Sequence, residues 1–149
     1  MSVDKEITKE IMATLADGRE GFLKGAEKLK ETNTPELAQA FRKYGAQRVA
    51  YYDELDTMAT SYGDDIDETG SVVAAAHRGW MAIKDALAGW SPTGVLEAAV
   101  SGERHAVNTY EDALKEDLSP ALRDVLVRQH GDVLATQISG RGAKALRNA

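Results

Sequence analysis

Apolar residues recur along this chain in alternating steps of three and four, the spacing of one face of an α-helix. Five segments carry the pattern: 3–32, 35–62, 70–89, 93–117 and 120–146. The breaks between them hold stop and start chemistry. Thr34-Pro35 and Ser119-Pro120 each set a capping hydroxyl before a proline at the first helical position, and Ser91-Pro92 reads the same way. The polar stretch from Tyr62 through Asp64, Asp65, Asp67 and Glu68 to Gly70 is a loop. It lacks the regular oxygen spacing and the closing glutamate of a helix–loop–helix calcium site.

A residue advances about 100° around a helix, so the pattern assigns each segment a buried stripe. The first carries Ile7, Ile11, Leu15, Gly18, Phe22, Gly25 and Leu29, with Glu20 and Glu27 on the far side. Glycine inside a helix costs roughly 1 kcal/mol relative to alanine, so Gly18, Gly21 and Gly25 predict close approach by a bulky partner, Trp80 or a tyrosine of the second segment. The second stripe is Leu37, Phe41, Tyr44, Arg48, Tyr51, Leu55, Met58 and Tyr62. The third is Val73, Ala76, Trp80, Ile83 and Leu87, with His77 and Lys84 at its border. The fourth is Leu96, Ala99, Glu103, Ala106, Tyr110 and Ala113, edged by Val100, Val107 and Leu114. The last is Leu122, Leu126, Gln129, Val133 and Thr136, running on to Gly140 and Ala143.

Arg48 and Glu103 stand out, because each is a charge in the middle of an apolar stripe. Charges are almost never buried unpaired. The pattern therefore predicts an internal ion pair at mid-height, backed by Gln129, Tyr44, Tyr51 and Tyr110 as further polar partners, with Gly18 at the same level. An Arg–Glu pair there can form charge-assisted, bidentate hydrogen bonds.

Composition narrows the classes. The chain has 149 residues, with 43% hydrophobic and 28% charged, enough for one domain spanning 1–149. A net charge of -6 argues against nucleic-acid and anionic-membrane partners. With no cysteine, disulfides and thiolate chemistry are excluded. The start of the chain lacks the apolar stretch of a secretory signal, and no apolar run approaches the ~20 residues that span a bilayer, so a cytoplasmic protein is expected.

A weak internal repeat adds connectivity. Lys30 to Leu37 parallels Lys115 to Leu122, so two long hairpins are joined by a shorter helix that returns the chain along the bundle. This plan resembles the ferritin-like superfamily: an all-α four-helix bundle of two helical hairpins joined by a crossover. More narrowly, Asp17-Gly18-Arg19-Glu20-Gly21-Phe22, the stretch from Gly70-Ser71-Val72 through His77-Arg78-Gly79-Trp80, and Gly102-Glu103 through Tyr110-Glu111-Asp112-Ala113-Leu114 resemble a family of small bacterial four-helix-bundle proteins of unassigned function.

The superfamily resemblance implies a carboxylate-bridged di-iron site, built from inward glutamates and Glu-x-x-His pairs. This sequence departs from it. The first helix brings no inward carboxylate to mid-height, the second brings Arg48 instead, and Glu-x-x-His occurs nowhere. Glu103, Gln129 and Asp132 are the best remaining oxygen ligands, and a nearby guanidinium would repel a cation. No cofactor is expected. His105 beside Glu103 is a candidate acid–base couple, while nothing supplies a nucleophile or an oxyanion site. The favoured reading is a non-enzymatic structural, stress-associated or interaction protein with an unknown protein partner. It would form a homodimer through marginal apolar residues (Met12, Leu23, Leu96, Val100), unless these cover the crossover helix. The alternative is a metal-binding or oxidative protein holding iron or manganese on mid-bundle carboxylates.

Overall fold

The computed structural model describes residues 3–30, 35–63 and 92–135, with Arg78, Met81, Lys84, Asp85 and Ala88 between the last two ranges; over 92–96 it describes the backbone alone. Every described element is a helix. These are α1 (Val3–Leu29), α2 (Pro35–Ser61), α3 (Pro92–Ala113) and α4 (Pro120–Ala135). The predicted 70–89 helix, with its stripe and His77 and Trp80, lies outside the described residues, apart from the five just named, which are helical. So do the 64–70 part of the loop, Thr34, Ser91 and everything after 135, including Thr136, Gly140 and Ala143.

Local chemistry sets the described ends. Asp4 and Glu6 sit in the first turn of α1 and Lys28 in its last, each opposite in sign to the nearby end of the helix dipole. The last turn of α2 closes on Gly63, whose φ of 85° is the left-handed conformation in which glycine ends helices. Its N–H donates to the Thr60 carbonyl at 2.9 Å. The helix predicted over 93–117 starts at Pro92 and stops at Ala113. The turn beyond it is held by Arg123, which donates to Leu114 O at 2.9 Å and Glu116 O at 2.7 Å. Ser119 caps α4 as its spacing predicts, accepting from the Leu122 N–H at 3.4 Å ahead of Pro120. Asp4 accepts the Ser119 N–H at 3.0 Å and so ties the start of α1 to the start of α4.

Side-chain pairs set the directions. Phe22 packs edge-on against Phe41, and Arg19 lies over the Tyr52 ring, so α2 runs antiparallel to α1. Asp4 near Ser119 and Asp17 near His105 make α3 antiparallel to α1 as well. α4 turns back on α3 and meets α2 through Tyr51–Asp132 and Glu54–Arg128. The helices form a ring in the order α1, α2, α4, α3. At 27 residues, α1 and α2 are each about 40 Å long. α2 ends at the opposite end of the ring from where α3 begins.

Two apolar clusters fill the bundle. The larger joins Ile7, Ile11, Met12 and Leu15 of α1 to Tyr52 and Leu55 of α2, Val107 and Tyr110 of α3, and Leu122, Leu126 and Val133 of α4. The smaller holds Phe22, Ala26, Leu29, Leu37, Ala38, Phe41 and Ala99. Burying one such large side chain is worth roughly 1.5–3 kcal/mol. Arg48 and Glu103 come from the α2 and α3 segments between the clusters.

The stripes of α1, α3 and α4 fall where the spacing puts them, as far as they are described. That of α2 needs correction. Phe41, Arg48 and Leu55 face inward, but the buried residues that follow each of them are Gly45, Tyr52 and Ala59, not Tyr44, Tyr51 and Met58. Tyr62 is 63% exposed rather than core. The reason is close packing against α1. A Cβ on Gly45 would lie 2.4 Å from Leu23 Cδ2, so the absent side chain is what admits Leu23. The helix turns Gly45 and Tyr52 toward α1 and leaves Tyr44, Tyr51 and Met58 on the flank. Leu23 is thus engaged within the chain, and Met12 is fully buried, so neither is a free margin for a second copy.

Candidate functional site

Arg48 and Glu103 lie diagonally across the ring, and both are 1% exposed. Arg48 Nη2 donates to Glu103 Oε1, and Nη1 donates to Gln47 Oε1. The guanidinium also sits 5.8 Å from the Phe22 ring centre. Gly18 makes room for the arginine stem: a Cβ there would be 3.1 Å from both Arg48 Cγ and Nε. The bulky partner expected at Gly18 is therefore Arg48, not a tryptophan or a tyrosine. Buried Glu103 has its carboxyl pushed above the usual range by desolvation, an effect that Arg48 opposes. Its second oxygen, Oε2, is buried and receives no hydrogen bond from the described residues.

Gln129 belongs elsewhere. The Tyr110 hydroxyl donates to Gln129 Oε1 at 2.8 Å, and Gln129 Nε2 donates to Glu54 Oε1 at 2.7 Å and, more weakly, to Tyr51 O at 3.5 Å. Arg128 holds the other oxygen of Glu54. Tyr51 donates to Asp132 Oδ2 at 2.7 Å. Burial and this bond push the Tyr51 hydroxyl up to about 12, and burial raises that of Tyr110 as well. The single polar layer expected from the stripes is thus two groups. One is Arg48, Glu103 and Gln47, with half-buried Tyr44 packed on Phe22 beside it at 5.5 Å. The other is Tyr110, Gln129, Glu54, Tyr51, Asp132 and Arg128.

The three candidate metal ligands do not converge. Glu103 is held by Arg48, Gln129 by Tyr110 and Glu54, and Asp132 by Tyr51. Among the described residues, no group of three His, Asp or Glu side chains is arranged to hold a metal ion. His130 meets Glu111 at 3.3 Å on the surface.

A cavity of about 350 Å³ opens between α1 and α3 beside the ion pair. Glu103, Arg48 and Phe22 wall it with Gly18, Gly21, Ala98, Ala99 and Ala106, and Thr14, Asp17, Ser101, His105 and Arg78 add polar groups. Asp17 is half-buried; desolvation raises its carboxyl above the usual range, against the fields of His105 and Arg78. Glu103 and His105, the suggested couple, both line this cavity. Asp17 escaped the stripe pattern because it stands at the edge of the α1 face. The clue was its place beside Gly18, with Gly21 one turn on, since small residues leave room next to a charge. Glu54 was missed because it points to α4, a direction set by the rotation of α2.

The fold and site define an all-helical bundle with a charge pair buried at its centre and a largely apolar cavity, with a few polar groups, against it. Residues 6–116 match the family described as Domain of unknown function (DUF2383), and the chain belongs to that family. No curated protein matches it. Among the described residues, no helix is long and apolar enough to cross a membrane.

Proposed function

We propose that this chain is a non-enzymatic bundle of ferritin-like connectivity, acting as a structural or interaction protein. In it the Arg48–Glu103 pair stands where ferritin-like bundles hold a di-iron centre. The observation that carries this reading is the direct bond between two side chains that are each 1% exposed. A guanidinium fixed on Glu103 takes one of its two ligand oxygens, so this carboxylate is not free to bridge two metal ions. Directions in the ring support the connectivity, because α1 and α4 run opposite to α2 and α3 and the chain must return between α2 and α3.

The test is a mutant cycle read by urea unfolding. Arg48→Ala leaves Glu103 buried without its partner and should cost about 3–5 kcal/mol. Arg48→Met combined with Glu103→Leu removes both charges and should cost far less. Equal damage from the single and double replacements would sink the structural pairing. A second reading, a metal-binding or oxidative protein, draws on the spare oxygen of Glu103 and on Asp17, residues that line the same cavity. Stoichiometric iron or manganese in the purified protein, lost in Glu103→Ala with the fold retained, would put that reading first.

A further inference from the structure

We infer that the cavity between α1 and α3 binds a small organic amine, its ammonium group donating to Glu103 Oε2 and Asp17 and its apolar body lying against Phe22 and the alanines of α3. At about 350 Å³ the space falls at the small end of ligand pockets, and its mixture of apolar wall and few polar groups is typical of them.

The polar groups are sorted by depth, and this chooses the ligand. At the buried end stands Glu103, 1% exposed, with Oε1 engaged by Arg48 and Oε2 unengaged by any described residue. An ionised carboxylate can only accept, so that oxygen calls for an N–H or O–H donor. The guanidinium beside it is already directed at Glu103 and Gln47 and has little to offer an anion. Asp17, half-buried, adds a second acceptor on the α1 wall. The cavity's other basic side chains, Arg78 and His105, are exposed and stand at the rim. A ligand thus enters donor-first, and an anionic group fits only at the mouth. Charge matters as well as donor capacity. Burial holds both carboxyls above their usual proton affinity, and a cation between them replaces the water they gave up. Ala98, Ala99 and Phe22 then cover a short hydrocarbon body.

The experiment is titration of the full chain with benzylamine, followed by amide chemical shifts and by calorimetry, with benzyl alcohol and benzoate as matched probes. Benzylamine should saturate, shift amides of α1 and α3 around Asp17 and Glu103, and bind about tenfold tighter than benzyl alcohol, as expected for one charge-assisted bond. Benzoate should not bind at this end. Asp17→Asn and Glu103→Gln should each weaken benzylamine about tenfold while leaving benzyl alcohol nearly unchanged. Asp17 has no part in the central ion pair, so its variant tests the site even if Glu103→Gln unfolds. Benzyl alcohol binding as tightly as the amine, benzoate binding more tightly, benzylamine unaffected by Asp17→Asn, or no saturation at millimolar concentrations would each overturn the assignment.

Discussion

The two polar groups inside this bundle solve the same problem in different ways. Around Gln129 each polar atom has been given a neighbour: Tyr110 donates to the amide oxygen, the amide nitrogen donates to Glu54, and Arg128 takes the other Glu54 oxygen. Around Arg48 the chain pairs a cation with an anion at greater depth but leaves Glu103 Oε2 over. A satisfied network is a closed piece of architecture. A buried acceptor left over beside a cavity is a place where something outside the chain can bind. The contrast lies in what packs alongside: α4 supplies donors and acceptors to α2, whereas α1 presents Gly18 and Gly21 to α3 and leaves room.

Breaking each group should give effects of different size. Arg48→Ala strands a charge and stands first, at the several kcal/mol given above. Gln129→Leu strands the buried Tyr110 hydroxyl and one oxygen of half-buried Glu54, neither of them a fully buried charge, and should cost about 1–3 kcal/mol in urea unfolding. Adding Tyr110→Phe to Gln129→Leu should recover part of that loss. If Gln129→Leu proves as damaging as Arg48→Ala, the network around Gln129 carries more than neutral hydrogen bonds and the comparison fails.

The partnership of Arg48 and Glu103 is legible in the sequence, for a definite reason. A charge on an apolar stripe is visible from spacing alone, and two such charges at mid-helix call for each other. The stripes of α1, α3 and α4 are legible on the same grounds. The split of the polar layer is not. Steps of three and four fit both the sequence 41, 44, 48, 51, 55 and the sequence 41, 45, 48, 52, 55. The two share every second residue and differ by a small rotation of the helix. Tertiary packing chooses the second, since it puts Gly45 under Leu23 and Tyr52 under Arg19. That rotation carries Tyr51 and Glu54 toward α4, where they meet Asp132, Arg128 and Gln129. The cavity is legible only as a hint, the glycines beside Asp17, because its shape depends on how the neighbouring helices pack around Gly18 and Gly21.

Glycine substitutions sharpen the role of that packing. Gly45→Ala puts a methyl 2.4 Å from Leu23 Cδ2 and 2.6 Å from its Cγ, so the side chain as a whole must shift. Overpacking of this kind costs about 1–3 kcal/mol, against a gain of roughly 1 kcal/mol in helix propensity. Net destabilisation is expected. Gly131→Ala, exposed in α4 with open space around its Cβ, keeps only the gain and should stabilise by about 1 kcal/mol. Thermal unfolding of both variants checks the pair, and the same sign for both would undo the close approach inferred at Gly45.

The cavity side should answer to acid. Asp17 binds its proton more tightly folded than unfolded, because burial raises its carboxyl above 3.8. Its contribution to stability is therefore fully present below the unfolded value and is lost as the pH rises through the folded one. Measured against Asp17→Asn, which does not titrate, the wild-type chain should gain stability as the pH falls from neutral toward the carboxylate range. A wild-type chain that loses stability relative to Asp17→Asn on acidification would contradict the buried placement of Asp17.

The smallest effect belongs to the satisfied side and lies at the other end of the pH scale. Tyr51 donates to Asp132 at 2.7 Å, and ionising it would both break that bond and set two negative groups together. Burial first, and then this bond and charge, raise its hydroxyl from the ordinary 10.0 to about 12 on folding. The folded chain holds this proton where the unfolded chain has released it, so the contribution is complete below pH 10 and disappears as the pH rises from 10 to 12. Absorbance titration at alkaline pH should show this tyrosine ionising well above the ordinary 10.0, and Asp132→Asn should bring it earlier by removing the negative neighbour. Tyr51→Phe should abolish the late step and cost little at pH 7, since the bond lies at the surface of the bundle. A late step that survives Tyr51→Phe would belong to Tyr110, whose burial is deeper still. It would show that the proton is held by the core rather than by the bond between α2 and α4.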